Sequence, residues 1–167
     1  KIGDTARRLL FIYLSLTAVC ALCYWLGPMD TYDSVCHAMS TIATGGFSTH
    51  TASIGYYHSR YLEYVCPFFM MLSSVNFSLF YYASIGRPRT LWRNEETKAF
   101  LGILAGSVLL FTLLFMFFPA RDCPPGQMPD GLEETFRTSL FHASSIMSST
   151  GFAAQKFDYV SWGSAFW

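Results

Sequence analysis

The chain has 167 residues, of which 52% are hydrophobic, 18% aromatic and only 13% charged, with a formal net charge of zero. Soluble domains usually carry about a quarter charged residues, so composition speaks against one, and the balanced charge excludes the basic footprint of a nucleic-acid binder. The five cysteines are an odd number, and four of them (Cys20, Cys23, Cys36, Cys66) sit in apolar segments, so with Cys123 they make no disulfide framework.

Residues 9–26 form an uncharged run closed by Gly27-Pro28. With 5–8 it predicts a helix of about 20 residues and about 30 Å, enough to cross the hydrocarbon core. The run is too long for a signal h-region and has no small-residue cleavage site, so no cleavable signal is expected. Arg7 and Arg8 precede it and place the N-terminal side in the cytoplasm by the positive-inside tendency. Next comes an acidic turn in which Asp30 or Thr31 can cap a new helix and Asp33 suits its positive end. That helix is expected to reach about Thr44. It is too short to span and carries Ser34, His37, Ser40 and Thr41, so between two spans it reads as re-entrant. Gly45-Gly46 ends it, and the polar 48–59 stretch climbs back to the outer surface.

Residues 60–85 form the next apolar segment, with Glu63 near its start and Asn76 near its middle. Pro67 is expected to bend it or to begin its regular part. Four basic residues (Arg87, Arg89, Arg93, Lys98) follow, again a cytoplasmic signal. Residues 99–118 are uncharged and end at Pro119, the clearest span in the chain. After an outer loop over 120–130, residues 132–149 predict a second short helix with Glu133 and Glu134 in its first turn. Thr150-Gly151-Phe152 ends it, and 156–167 rises toward another span.

The two short helices and their loops are copies. His37, Ala38, Ser40, Gly46 and Phe47 recur at a constant offset of 105 as His142, Ala143, Ser145, Gly151 and Phe152. Such a repeat fixes the architecture. The fold expected is an all-α membrane protein built of span, re-entrant pore helix, glycine loop and span. The first unit covers 1–86, a cytoplasmic connection 87–98, and a second unit, truncated in its last span, 99–167. The chain reads as part of a longer protein.

Irregular backbone inside a bilayer is costly unless protein or water satisfies it. Loops of several such units around one axis can meet that demand by turning carbonyls inward, where they replace the water around a bare monovalent cation. Glycine supplies the backbone freedom. The helix C-termini add a negative dipole end aimed at the axis, and the acidic residues at the outer helix starts can raise the local cation concentration. A single Gly-Phe after a helix is an ordinary C-cap; two copies in register between spans point to an ion path.

The stretch Thr41-Ile42-Ala43-Thr44-Gly45-Gly46-Phe47-Ser48-Thr49-His50 resembles the first filter loop of the Trk/Ktr/HKT potassium transporters, of the bacterial TrkH type. Ser148-Ser149-Thr150-Gly151-Phe152 resembles their second, and the Leu91-Trp92-Arg93 connection is similar too. The resemblance covers essentially the whole chain. It implies four repeats in one polypeptide, arranged pseudo-fourfold around one pore, of which this chain holds about one and a half to two. It implies ion-coordinating carbonyls at Thr44 and Gly45 and at Ser149 and Thr150, with the characteristic glycines at Gly46 and Gly151. In the plant relatives a serine in place of the first glycine accompanies sodium selectivity, so Gly46 leans toward potassium. The function implied is potassium uptake through a membrane pore. The alternatives are a sodium-preferring relative and a non-conducting membrane scaffold subunit. The permeant potassium ion is the only metal expected and no cofactor is called for. The expected partners are the lipid bilayer of the inner membrane, the remaining two repeats, a cytosolic nucleotide-binding regulatory ring, and a second copy in a homodimer. The gating loop and the basic residue of the family's later repeats are absent from this sequence.

Other residues carry plainer readings. His37 and His142, each nine residues before its glycine, fit a metal or proton relay less well than hydrogen-bonded packing. Cys20 and Cys23 have redox or zinc spacing, but in an apolar span they read as helix packing. Asn76 and Glu63 fit a water path as well as an interhelical hydrogen bond and an interfacial charge, respectively. Phe68, Phe69, Met70 and Met71 face lipid or core. No nucleophile–base pair, Walker loop or metal-ligand cluster stands out, so no enzyme is expected.

Overall fold

The computed structural model describes residues 2–75, 94–117 and 131–154. Within them the order is α1 (Ile2–Trp25), α2 (Thr31–Ile42), a short 3-10 helix (Ser53–Tyr57), α3 (Arg60–Ser74), α4 (Glu95–Phe117) and α5 (Leu132–Met147). The described residues contain no strand. Asn76, Cys123, the Leu91-Trp92-Arg93 connection and residues 155–167 lie outside them.

Among the described residues two helices are long and apolar enough to cross a membrane, over Thr5–Trp25 in α1 and Glu95–Leu114 in α4. Only 11% and 17% of their apolar windows are buried, far too little for core helices of a soluble domain. On α1 the half-buried Tyr13 and Leu16 and the buried Cys20 and Tyr24 recur at helical spacing and pack inward, while Leu10, Phe11, Leu14 and Leu22 stay exposed. On α4 the inward stripe is Leu104, Val108 and Phe111, and Ile103, Leu109 and Leu110 face out. Exposed apolar faces of this length are what a bilayer covers.

The helix α2 begins as its sequence dictates. Asp30 is the cap rather than Thr31: its Oδ1 accepts the Asp33 N–H at 2.8 Å. The helix ends at Ile42, and α5 ends at Met147, the equivalent position at the offset of 105. At its start α5 is about one turn longer, and its cap, Gly131, makes no side-chain cap bond. The helix α4 begins at Glu95, four residues before the uncharged run. Pro67 sits inside α3, which has already started at Arg60, so Pro67 does not begin the regular part. Its missing N–H leaves the Glu63 carbonyl without a helical partner.

The helix α2 packs on both α1 and α3, α3 also packs on α5, and α5 packs on α4. The two units are therefore joined through α3. The shared core gathers Tyr24, Ile42, Leu62, Cys66 and Met70 from the first unit and Phe141 and Phe152 from the second. Within it the Tyr24 hydroxyl shares a 2.9 Å hydrogen bond with Thr41 Oγ1.

Candidate functional site: the paired glycine loops

Each loop begins where its short helix runs out of partners. The Ala43 and Thr44 N–H groups bond back to Met39 and Thr41, and the Gly45 N–H reaches the Ser40 carbonyl at 2.7 Å. In the second unit Ser148 and Ser149 bond back to Ser144 and Ile146, and the Gly151 N–H reaches the Ser145 carbonyl at 3.2 Å. The repeat extends to backbone conformation. Thr44 (φ 50°) and Gly46 (φ 69°) are left-handed, and so are Ser149 (φ 58°) and Gly151 (φ 77°), at the offset of 105. The residues between them, Gly45 and Thr150, are not. Carbonyls of an extended strand alternate sides; alternating the sign of φ cancels that and lets successive carbonyls share one side. Two threonine or serine residues held left-handed also store strain, which persists only where surroundings enforce it.

The loops meet. A Cβ added at Gly46 would lie 2.0 Å from the Thr150 carbonyl oxygen. Gly46 is thus required twice, for its φ and for the approach of Thr150. At Gly151 only the φ demands glycine, since a Cβ there would meet nothing within 4 Å. The structure therefore brings Thr44, Gly45, Gly46, Ser149, Thr150 and Gly151 into one neighbourhood. Gly45, Ser149 and Gly151 are exposed, Thr44 and Gly46 half-buried, and Thr150 buried. The following phenylalanines part company. Phe152 is 2% exposed, its ring 5.9 Å from that of His37, whereas its counterpart Phe47 is 81% exposed.

The histidine of the first unit packs and bonds. His37 Nδ1 lies 2.8 Å from the Asp33 carbonyl, so it is the protonated nitrogen, and Nε2, 2.9 Å from Ser48 Oγ, accepts. His142 is buried in α5. Cys20 and Cys66 are buried in the core beside Tyr24, and Cys23 is half-buried.

Comparison with known proteins places this arrangement. The model of the TrkH family, described as cation transport protein, matches residues 1–163. The chain belongs to this family. It is 37% identical over 160 residues to the Trk system potassium uptake protein TrkH of Vibrio parahaemolyticus, covering 94% of this chain and 31% of that protein. It is 35% identical over 163 residues to the Trk system potassium uptake protein TrkG of Escherichia coli K12, covering 97% of this chain and 31% of the relative. The crystal structure of the potassium transporter TrkH from Vibrio parahaemolyticus matches with a TM-score of 0.80 at 36% identity, over 91% of this chain and 31% of that one. The chain thus spans about a third of the length of these relatives, which are named as uptake proteins and a transporter rather than as enzymes.

In this TrkH family chain the N-terminal ends of the short helices hold two clusters that the sequence did not announce. Arg137 of α5, its side chain 6% exposed, donates from Nε to Glu63 Oε2 of α3 at 2.5 Å and from Nη1 to Glu133 at 2.9 Å. Tyr64 donates its hydroxyl to Glu133 Oε1 at 2.9 Å. Glu63 is therefore the partner of an arginine across the seam between the units. Asp33 of α2 is the second hub. Its Oδ1 accepts from Thr49 Oγ1 at 2.7 Å, and its Oδ2 accepts from His50 Nε2 at 2.9 Å and from the Tyr57 hydroxyl. The Tyr57 hydroxyl foremost, then Thr49 and His50, holds the Asp33 carboxyl at about 2. The acidic residues at the helix starts are thus engaged within the protein: Asp30 caps, Asp33 holds a loop and Glu133 holds Arg137.

Proposed function

We propose that this chain forms part of a pore for potassium uptake, in which backbone carbonyls of the two glycine loops coordinate the ion. The observation that carries the reading is the meeting of the loops: the same alternating backbone at 44–46 and 149–151, with the Thr150 carbonyl against Gly46. Thr44, Gly45, Ser149 and Thr150 supply oxygens that replace lost hydration water, and Gly46 and Gly151 give the backbone the conformation this needs. The C-terminal ends of α2 and α5 lead into these loops and add a favourable dipole for a cation. No bond is made or broken; the protein's part is electrostatic preorganisation. Potassium is cargo, and no resident cofactor is needed.

The remaining parts of the proposal concern the whole protein. Two further repeats complete the ring around the axis. Arg7 and Arg8, both exposed, put the N-terminal side of α1 in the cytoplasm, with the protein in the inner membrane. A cytosolic nucleotide-binding ring and a second copy of the chain are its partners. Rescue of growth at low potassium by the full-length protein, with flux and ion competition in proteoliposomes, tests the reading. Potassium-selective flux abolished by bulky replacement of Gly46 and Gly151 is expected. Rescue that survives both replacements would instead favour a scaffold, and flux in which sodium outcompetes potassium would favour the sodium-preferring alternative.

A further inference from the structure

The two loops are built alike but braced differently. The first is held by its own helix: Asp33 accepts from Thr49 and His50, and His37 receives the Ser48 hydroxyl. At the offset of 105 the second unit has Thr138 in place of Asp33, Ala153 in place of Ser48 and Ala154 in place of Thr49. That brace cannot be repeated there. The second loop keeps one side-chain bond to its own helix, from Ser145 Oγ to the Phe152 carbonyl at 2.6 Å, and beyond Phe152 it is held by the first unit. The Gly55 N–H donates to the Ala153 carbonyl at 3.2 Å, and the Ala153 N–H donates to Ser53 Oγ at 3.3 Å. Ser53 and Gly55 belong to the 3-10 helix Ser53–Tyr57, whose last residue, Tyr57, donates to Asp33. His50 stacks on Tyr56 at 3.8 Å between ring centroids, closing the cluster.

We infer that Asp33 is a positioning residue for both glycine loops: it fixes the first directly, through Thr49 and His50, and the second through Tyr57 and the 3-10 helix that holds Ala153. Selection by a ring of carbonyls depends on how its oxygens are held. A carboxylate that accepts three hydrogen bonds at the outer side of both loops is suited to hold them, because hydrogen bonds to a charged acceptor are about twice as strong as neutral ones. Asp33 acts through the loops, by the bonds it accepts from Thr49, His50 and Tyr57. This inference rests on the proposed uptake function.

The test uses the full-length protein in proteoliposomes, reading the potassium-to-sodium flux ratio, with elution profile and melting temperature as checks of folding. Asp33→Asn keeps the shape but presents an amide to donors. The ratio is expected to fall about tenfold or more while the protein stays folded, as loss of bonds to a charged acceptor implies. Tyr57→Phe and Thr49→Val should each lower it in the same direction by a smaller factor. Glu134→Gln, at the outer start of α5, should leave it within about twofold, since its half-exposed carboxylate is only a distant, 3.8 Å partner of Arg137, which keeps Glu63 and Glu133. A folded Asp33→Asn protein as selective as wild type, or a loss matched by Glu134→Gln, overturns the inference and leaves the uptake reading intact. If Asp33→Asn does not fold, Tyr57→Phe and Thr49→Val decide: a lowered ratio supports the brace, and wild-type ratios in both overturn it. A wild-type protein that moves no potassium overturns the uptake reading, and this inference with it.

Discussion

Gly46 and Gly151 occupy equivalent places yet are not equally replaceable, and the difference can be put in numbers. Alanine at either site must adopt a left-handed conformation, at φ 69° or 77°, which costs a residue with a side chain about 1–2 kcal/mol. At Gly151 that is the whole cost, because the added methyl meets nothing within 4 Å. At Gly46 the methyl would stand 2.0 Å from the Thr150 oxygen, and real Cβ atoms essentially never come closer than 3.0 Å. The Thr150 carbonyl, a backbone group, must therefore retreat by about 1 Å, and it is one of the proposed ion ligands. Misplacement by about 1 Å at a site that works by geometry costs about a hundredfold. Potassium flux through the full-length protein should thus fall about tenfold for Gly151→Ala, the factor matching about 1.4 kcal/mol, and about a further hundredfold for Gly46→Ala. Rubidium uptake into proteoliposomes, normalised to folded protein, measures both. Equal defects in the two variants, or a Gly46→Ala protein with wild-type flux, would refute the reasoning.

Three further outcomes follow from the packing and the charges. Arg137→Met strands the buried Glu63 carboxylate and should cost about 3–5 kcal/mol, whereas Glu63→Gln leaves Arg137 paired with Glu133 and should cost less. The double replacement Glu63→Met with Arg137→Met should recover most of the Arg137→Met loss; melting of the purified full-length protein separates the cases. Tyr24→Phe removes the bond to Thr41, which still donates to the His37 carbonyl at 2.7 Å, and the weak hydroxyl contacts with Cys20 and Cys66, so its melting temperature should reflect a loss of about 1 kcal/mol. Asp33 has a folded pKa of about 2 against an ordinary value of 3.8. The folded state therefore binds fewer protons there, so its contribution is complete above pH 3.8 and disappears as pH falls toward about 2. The melting-temperature gap between wild type and Asp33→Asn should accordingly be constant at neutral pH and narrow over that window.

Much of the fold was legible because it rests on local signals. Uncharged runs marked α1 and α4, Asp30 or Thr31 marked the start of α2, and the offset of 105 tied both short helices to their loops. The ends of α2 and α5 at Ile42 and Met147 keep that offset, and so do the left-handed residues around it. What stayed hidden depends on tertiary contact. Glu63 and Arg137 lie 74 residues apart, and Asp33 and Tyr57 lie 24 apart; no periodicity brings either pair together. Glu133 reads from sequence as a dipole partner and cation attractor, but its carboxylate is occupied by Arg137 and Tyr64. The role of Ser53 and Gly55 as a seat for Ala153 was equally silent, because it is made by backbone groups and one hydroxyl. The difference between Gly46 and Gly151 needs the neighbouring loop in place, and so needs coordinates.

The burial of Phe152 has a direction. Its ring leans from the second unit back onto the first, against His37, so this phenylalanine is sheltered by the unit before its own. Phe47 has no such shelter among the described residues. If the same lean is repeated around a closed ring, the shelter for Phe47 must come from the last unit. Translation makes that unit latest of all, so the first loop would wait, wedge uncovered, until the final segment entered the bilayer. Such a ring would close like a clasp, and a protein cut short before its last unit would keep one greasy finger exposed to whatever lipid or chaperone met it first.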